Sequence, residues 1–223
     1  PLGRLDAFKV ISLEGEDIPA ALGLALDDLS LAAIVDNVME PVPFQIDQYN
    51  VGGALYFEGW DVALAGDIKQ FDATDKLLFL FKDAGPRRTD RDVYDGEILS
   101  EIMLKDPDGN QRFVYLVKGS RLRSEEQYVR YSSEMGLVET DFYQMRYDTQ
   151  NHLKCEDFTA TNFVGERPLD SMKLSLNMGA VTSLVPLELD NDDLVAIPKG
   201  EKIGPIRTTT QLDLLPKRET SKA

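Results

Sequence analysis

Between Lys76 and Lys82 lie five consecutive apolar residues, Leu77-Leu-Phe-Leu-Phe81, and this run constrains the fold more than any other stretch of the chain. An apolar run of that length between turn residues predicts a strand covered on both faces. Asp72-Ala-Thr-Asp75 leads into it and Asp83-Ala-Gly-Pro86 leads out, so turn chemistry brackets a strand over Lys76–Gly85. Phe79, in the middle, is expected to be fully buried. Upstream, Pro41-Val-Pro-Phe-Gln-Ile-Asp47 has prolines that hold the backbone extended, which makes it the expected pairing partner.

The rest of the chain repeats this grammar of short strands and turns. Ala7–Leu13, Leu29–Val35 and Phe44–Asp47 read as strands before the central run, and residues 48–71 as loops with brief strands, broken by glycines. Glu97–Lys105 and Gln111–Lys118 flank Asp106-Pro-Asp-Gly-Asn110, a loop with the Pro and Gly that a tight hairpin turn needs. Gln127–Ser132, Leu137–Tyr147, Leu153–Asn162, Ser171–Met178, Asp193–Ile197 and Ile206–Leu215 follow as strands. Met172, Leu174, Leu176 and Met178 alternate with polar residues, so one face of that strand must be buried. Helical periodicity is nearly absent. Only Asp17–Leu26, with a capping Asp and a Pro in its first turn, is placed to form a short helix. The fold class is therefore mainly β, an antiparallel β-sandwich or open barrel with at most two short helices.

Charge suggests where the chain divides. Residues 87–96 carry Arg87, Arg88, Asp90, Arg91, Asp92 and Asp95 without periodicity and read as a connector. It would separate an N-terminal lobe over 1–86 from a C-terminal lobe over 97–216, either two bodies or the halves of one domain, with 217–223 as a tail.

Composition excludes several function classes. With 24 Lys and Arg against 39 Asp and Glu, the formal net charge of −15 repels nucleic-acid phosphates and the anionic surface of a bilayer. No apolar run approaches the length of a membrane-spanning helix. The start at Pro1 reads as a processed or trimmed N-terminus. Cys155 stands alone and His152 is the sole histidine, so a disulfide framework and a multi-histidine metal site are both ruled out within the chain.

Four constellations remain. Asp47, Asp72, Asp75 and Asp83 flank the central run, and carboxylates converging at one sheet end suit Ca²⁺, the one cofactor the chain suggests; the competing reading is that Asp72 and Asp83 cap turns. His152 and Cys155, three apart, suggest a Cys/His nucleophile pair or half a metal site, but strand positions three apart face opposite sides, which favours a packed Cys and a surface His. Glu139, Asp141, Glu156 and Asp157 could supply paired acids for glycoside hydrolysis, with Glu139 and Asp141 on one strand face, although a solvated charged face explains them more simply. Tyr49, Tyr56 and Trp60, with Phe57, either form a stacking platform for a sugar or partner, or close one end of the sandwich.

At Pro41-Val-Pro-Phe-Gln-Ile-Asp47, Asp72-Ala-Thr-Asp-Lys-Leu-Leu-Phe-Leu-Phe-Lys-Asp-Ala-Gly85 and Ile203-Gly-Pro-Ile-Arg207, the chain resembles a loose group of exported, all-β bacterial proteins of uncharacterised function. They share these three patterns in order, with an acidic residue usual where this chain has Lys76. The resemblance implies export, hence a periplasmic, outer-envelope or extracellular location, and a β-sandwich. It carries over no active site.

The expected function is therefore binding, with no residue assigned a catalytic role. The chain reads as a non-catalytic exported or envelope protein that docks on another protein or on a polysaccharide. Val195, Ile197, Ile206 and Leu212 in the late strands supply an edge for assembly. The alternative is a carbohydrate-binding or carbohydrate-active protein, a lyase or hydrolase using its acids and aromatics.

Overall fold

The computed structural model describes residues 4–92, 94–161, 164–165, 175–178, 187–190 and 193–216. They form several antiparallel sheets with helix confined to single turns, and no sheet closes into a barrel, so the mainly β class read from the sequence is the observed one. The chain divides into two compact units. Unit 1 runs to Gln127 and includes Gly204–Ile206; unit 2 runs from Tyr128 to Ile203 and resumes at Arg207.

Unit 1 holds seven strands: β1 (Val10–Glu14), β2 (Leu29–Val35), β3 (Val38–Pro41), β4 (Gln45–Asp47), β5 (Lys76–Leu80), β6 (Glu97–Lys105) and β7 (Gln111–Lys118). They make a three-stranded sheet, β1-β5-β4, and a four-stranded sheet, β3-β2-β7-β6. β5 is the apolar run, and it is central in its sheet as expected, with Gln45 opposite Leu78 and Asp47 opposite Lys76. Leu77 and Phe79 join Leu29 and Leu31 of β2 and Val114 and Leu116 of β7 in one buried cluster, so the two sheets sandwich a common core. Leu78 and Leu80 on the other face of β5 are buried too, which is why the run has no polar alternation. The strand stops at Leu80, earlier than Gly85, because Phe81–Asp83 turns into a single 3-10 turn.

The stretch 87–96 is not a connector. Ala32, Ile34, Met39, Phe113, Tyr115 and Val117 form a second buried cluster on the other face of the four-stranded sheet, with Tyr94 and Ile98 packed against it. The backbone N–H of Arg88 donates to Tyr115 Oη at 2.9 Å, and Arg87 pairs with Glu101 at 2.8 Å. The charges fasten a cover over an apolar face, and the division of the chain falls at Gln127 instead. β7 pairs with β2, so the hairpin expected to open a second lobe belongs to the first.

The helix expected over Asp17–Leu26 is also absent. Its place is taken by separate 3-10 turns at Gly15–Asp17, Pro19–Ala21 and Leu26–Asp28, and Gly23 at φ +74° ends any helical path. The turns still bury Ile18 and Ala21.

In unit 2, β8 (Val129–Ser132), β9 (Leu137–Thr140), β10 (Tyr143–Asp148) and β11 (Asn151–Ala160) form a meander in the order β11-β10-β9-β8. The strand expected over Leu137–Tyr147 is two strands. Thr140 Oγ1 accepts from the backbone N–H groups of Phe142 and Tyr143 at 3.1 Å each and turns the chain at Asp141. Register puts Tyr131, Val138, Met145 and Phe158 on one face, and Arg130, Glu139, Gln144 and Arg146 on the other. β12 (Ser175–Met178) pairs with β13 (Leu187–Asp190), while residues 171–174 and the tail 217–223 lie outside the described residues. β14 (Leu194–Ile203) and β15 (Thr208–Pro216) form the last hairpin.

Candidate functional site

The four acids around β5 do not converge. Asp47 and Asp75 are completely buried, and Gln45 Nε2 donates to Asp47 Oδ1 at 2.7 Å. Asp75 Oδ2 accepts from the backbone N–H of Asp72 at 3.0 Å, and Asp72 Oδ2 accepts from that of Asp67 at 2.6 Å, so this pair organises the turn into β5. Asp83 stands past the other end of the strand. Among the described residues no three His, Cys, Asp or Glu side chains gather to hold a metal ion, and Asp47, Asp72, Asp75 and Asp83 are no exception. Two of the sequence patterns do meet here. A Cβ on Gly204 would lie 2.0 Å from Gln45 Oε1, so a larger residue there would have to push the Gln45 side chain aside.

Residues 48–71 form a loop knitted by side-chain amides. Gln48 Nε2 donates to the Asp67 carbonyl at 3.0 Å, and Asn50 Oδ1 accepts from the backbone N–H groups of Gly52 and Ala54 at 2.9 and 3.0 Å. The aromatics take separate roles on it. Phe57 is buried, with Trp60 tilted against it at 5.9 Å between ring centroids. Tyr49 is half-buried, with Lys76 Nζ 5.0 Å from its ring centroid, and Tyr56 is half-buried. Trp60 alone among the expected platform residues is exposed, at 38 %; the other two are committed to the loop.

His152 and Cys155 engage different partners. The His152 ring stacks on Tyr147 at 5.9 Å, while Cys155 Sγ donates to the Asp157 carbonyl at 3.6 Å. Burial pushes the Cys155 thiol up, the opposite of what a nucleophile needs. His152, expected at the surface, is buried, because the register shifts between β10 and β11 on either side of Tyr147 break strict alternation there. The acids fare no better as a catalytic pair. Asp141 sits in the turn after β9, off the strand face that Glu139 occupies. Glu139 accepts from Gln144 Nε2 at 3.1 Å, lies across from Arg130, and Asp157 lies across from Arg146. These are cross-strand charge pairs on a polar sheet face.

The β14–β15 hairpin is the surface that stands out. Asn151 of β11 binds one edge of β14, its Nδ2 donating to the Leu194 carbonyl at 2.9 Å and its Oδ1 accepting from the Ala196 N–H at 3.0 Å. β15 lies on the other side of β14, and among the described residues no further strand pairs with it. Pro198 opposes Leu212 and Ala196 opposes Leu214, which sets both leucines on one face; Ile197 and Leu215 fall on the other. Ile197, Leu212, Leu214 and Leu215 are between 37 and 51 % exposed. Apolar side chains thus stand exposed on both faces of the hairpin. Ile197 and Leu212 were legible in the sequence, but Ile206 is buried, and Leu214 and Leu215 were signalled only by the non-alternating run Leu212-Asp-Leu-Leu215.

No family model, no curated protein and no solved structure matches this chain.

Proposed function

We propose that the protein acts by binding a partner protein through the β14–β15 hairpin, as an exported or envelope component rather than as a catalyst. The observation that carries this reading is the edge of β15, with which no further strand pairs among the described residues, flanked by exposed Ile197, Leu212, Leu214 and Leu215, a surface that pairs readily with another chain. The net charge of −15 favours a partner with a basic surface. Export rests on the resemblance of the three patterned stretches. The test is isolation from the natural source under mild conditions, alongside a variant with Leu212→Ser and Leu214→Ser. A stable complex held by the parent and lost by the variant supports the reading, and a monomer that cleaves any polysaccharide in a panel overturns it.

A second reading has one observation in its favour. Trp60 is exposed on its loop beside Phe57, a geometry suited to stacking on a sugar ring. Binding of a soluble polysaccharide that quenches the single tryptophan and vanishes in Trp60→Ala would move the function to that loop.

A further inference from the structure

A second interaction site lies in unit 1, where the four-stranded sheet forks. β2 pairs with β7 only from Leu29 to Ala32, while it stays paired with β3 to Val35. Beyond Ala32, Gly85 takes over the edge of β7, exchanging backbone bonds with Phe113 at 2.8 and 3.0 Å. A Cβ on Gly85 would lie 2.1 Å from the Ile34 carbonyl oxygen, so glycine is what lets this segment wedge against β2. The fork leaves a cleft of about 430 Å³ between the Glu40–Pro43 segment and the Lys82–Pro86 segment, a size that suits several side chains of a bound ligand.

The cleft combines apolar surface with charges of both signs, most of them already engaged. Val35 and Pro41 offer it apolar surface. Its two cations are occupied: Lys82 pairs with Glu126 at 3.3 Å, and Arg112 donates from Nε to the Ala84 carbonyl at 2.7 Å with its guanidinium against the Phe81 ring. Glu40 and Glu126 stand exposed at the lining. With Glu126 taken by Lys82, a ligand meets apolar walls and the exposed Glu40 carboxylate, within a protein whose net charge of −15 already draws cations. Glu40 and Pro41 belong to the extended backbone of β3, along which an extended chain can lie.

We propose that this cleft receives an extended segment of a partner protein bearing lysine or arginine beside apolar residues. The site shares no residue with the β14–β15 hairpin, so each stands or falls separately. The test is titration of the full chain with a short acetylated, amidated peptide alternating lysine and valine, against a peptide with glutamate in place of lysine. Saturable binding of the lysine peptide alone is expected, weakened by raised salt, with amide shifts at Val35, Glu40 and Gly85. Glu40→Lys, on an exposed side chain, is expected to weaken it by about tenfold, and Glu40→Gln by less. The Leu212→Ser, Leu214→Ser variant is expected to bind the peptide unchanged. Equal binding of the glutamate peptide, no effect of Glu40→Lys in a variant that melts like the parent, or displacement of the peptide by an equal amount of N-acetyl-lysine amide would each overturn the proposal, the last by making this a small-amine site.

Discussion

The two units solve the same problem of burying β-sheet faces to different extents. In unit 1 both faces of β5 are covered, and both faces of the β2–β7 pair have their own apolar cluster. Leu29, Leu31, Ala32, Ala33, Val114, Tyr115 and Val117 are all completely buried. In unit 2 the apolar face of the meander, with Tyr131, Val138, Met145 and Phe158, is only half-buried, and the hairpin beside it holds leucines open to solvent. The difference teaches where stability and where recognition reside. A buried residue in unit 1 acts mainly through packing, whereas Ile197, Leu212, Leu214 and Leu215 of the β14–β15 hairpin have little packing to lose and surface to offer.

The largest expected effect is in unit 1. Phe79→Ala removes a ring with no solvent exposure from the centre of the core, and roughly 3–5 kcal/mol of stability should be lost in urea unfolding. A variant as stable as the parent would erase the contrast between the units. Next comes the clamp that fixes β14. Asn151→Ala strips partners from the Leu194 carbonyl and the Ala196 N–H, both bound by its amide, and should cost about 1–3 kcal/mol. Faster amide exchange at Ala196 would locate the loss; unchanged exchange there would show that the clamp is dispensable.

A smaller effect is expected where the side chains are open. Leu214→Ser, at 51 % exposure, should change unfolding free energy by no more than about 0.5 kcal/mol. A loss as large as that of Phe79→Ala would mean that the hairpin face is core. The smallest effect is a titration. Tyr131 donates to Glu201 Oε1 at 3.1 Å; burial first, then this bond and the carboxylate charge, push its phenol up to about 12. Because the folded value is raised above the ordinary 10.0, the neutral phenol stabilises the fold fully below that pH, and the contribution is lost as pH climbs towards 12. Phenolate absorbance that misses this late step in Tyr131→Phe, and an earlier step in Glu201→Gln, are the expected outcomes.

What could be read from the residues depended on whether a turn left a mark in the sequence. The β6–β7 hairpin was legible because Asp106-Pro-Asp-Gly-Asn110 has the residues its turn demands, and Asp106 Oδ1 accepts from the Asn110 N–H at 2.7 Å. β5 was legible because an unbroken apolar run tolerates few alternatives. The turn at Asp141-Phe142 left no such mark, since it is made by a Thr140 hydroxyl without Gly or Pro. The sequence pattern places a strand over Asp193–Ile197, yet β14 continues past Pro198 through a register shift between Pro198 and Gly200. Charge misled in the same way. Arg87 and Arg88 suggested a solvated linker, but each lies with its guanidinium near an aromatic ring of β7, at 5.5 Å from Phe113 and 5.9 Å from Tyr115. The forked cleft had no signature at all, because it arises from where Gly85 lands in space and not from any residue pattern.

The placement of Gly204 against Gln45 has a consequence in time. About 160 residues separate these two positions, and a loop of that length closes only once its far end exists. At ordinary rates of synthesis, on the order of ten seconds pass between the appearance of β4 and that of Gly204-Pro-Ile206. Unit 1 reaches Gln127 about midway through that interval and then waits with Gln45 uncovered while the chain from Tyr128 to Ile203 is made. A ribosome stalled before Gly204 should therefore display a nascent unit 1 that proteases open more readily than the finished one.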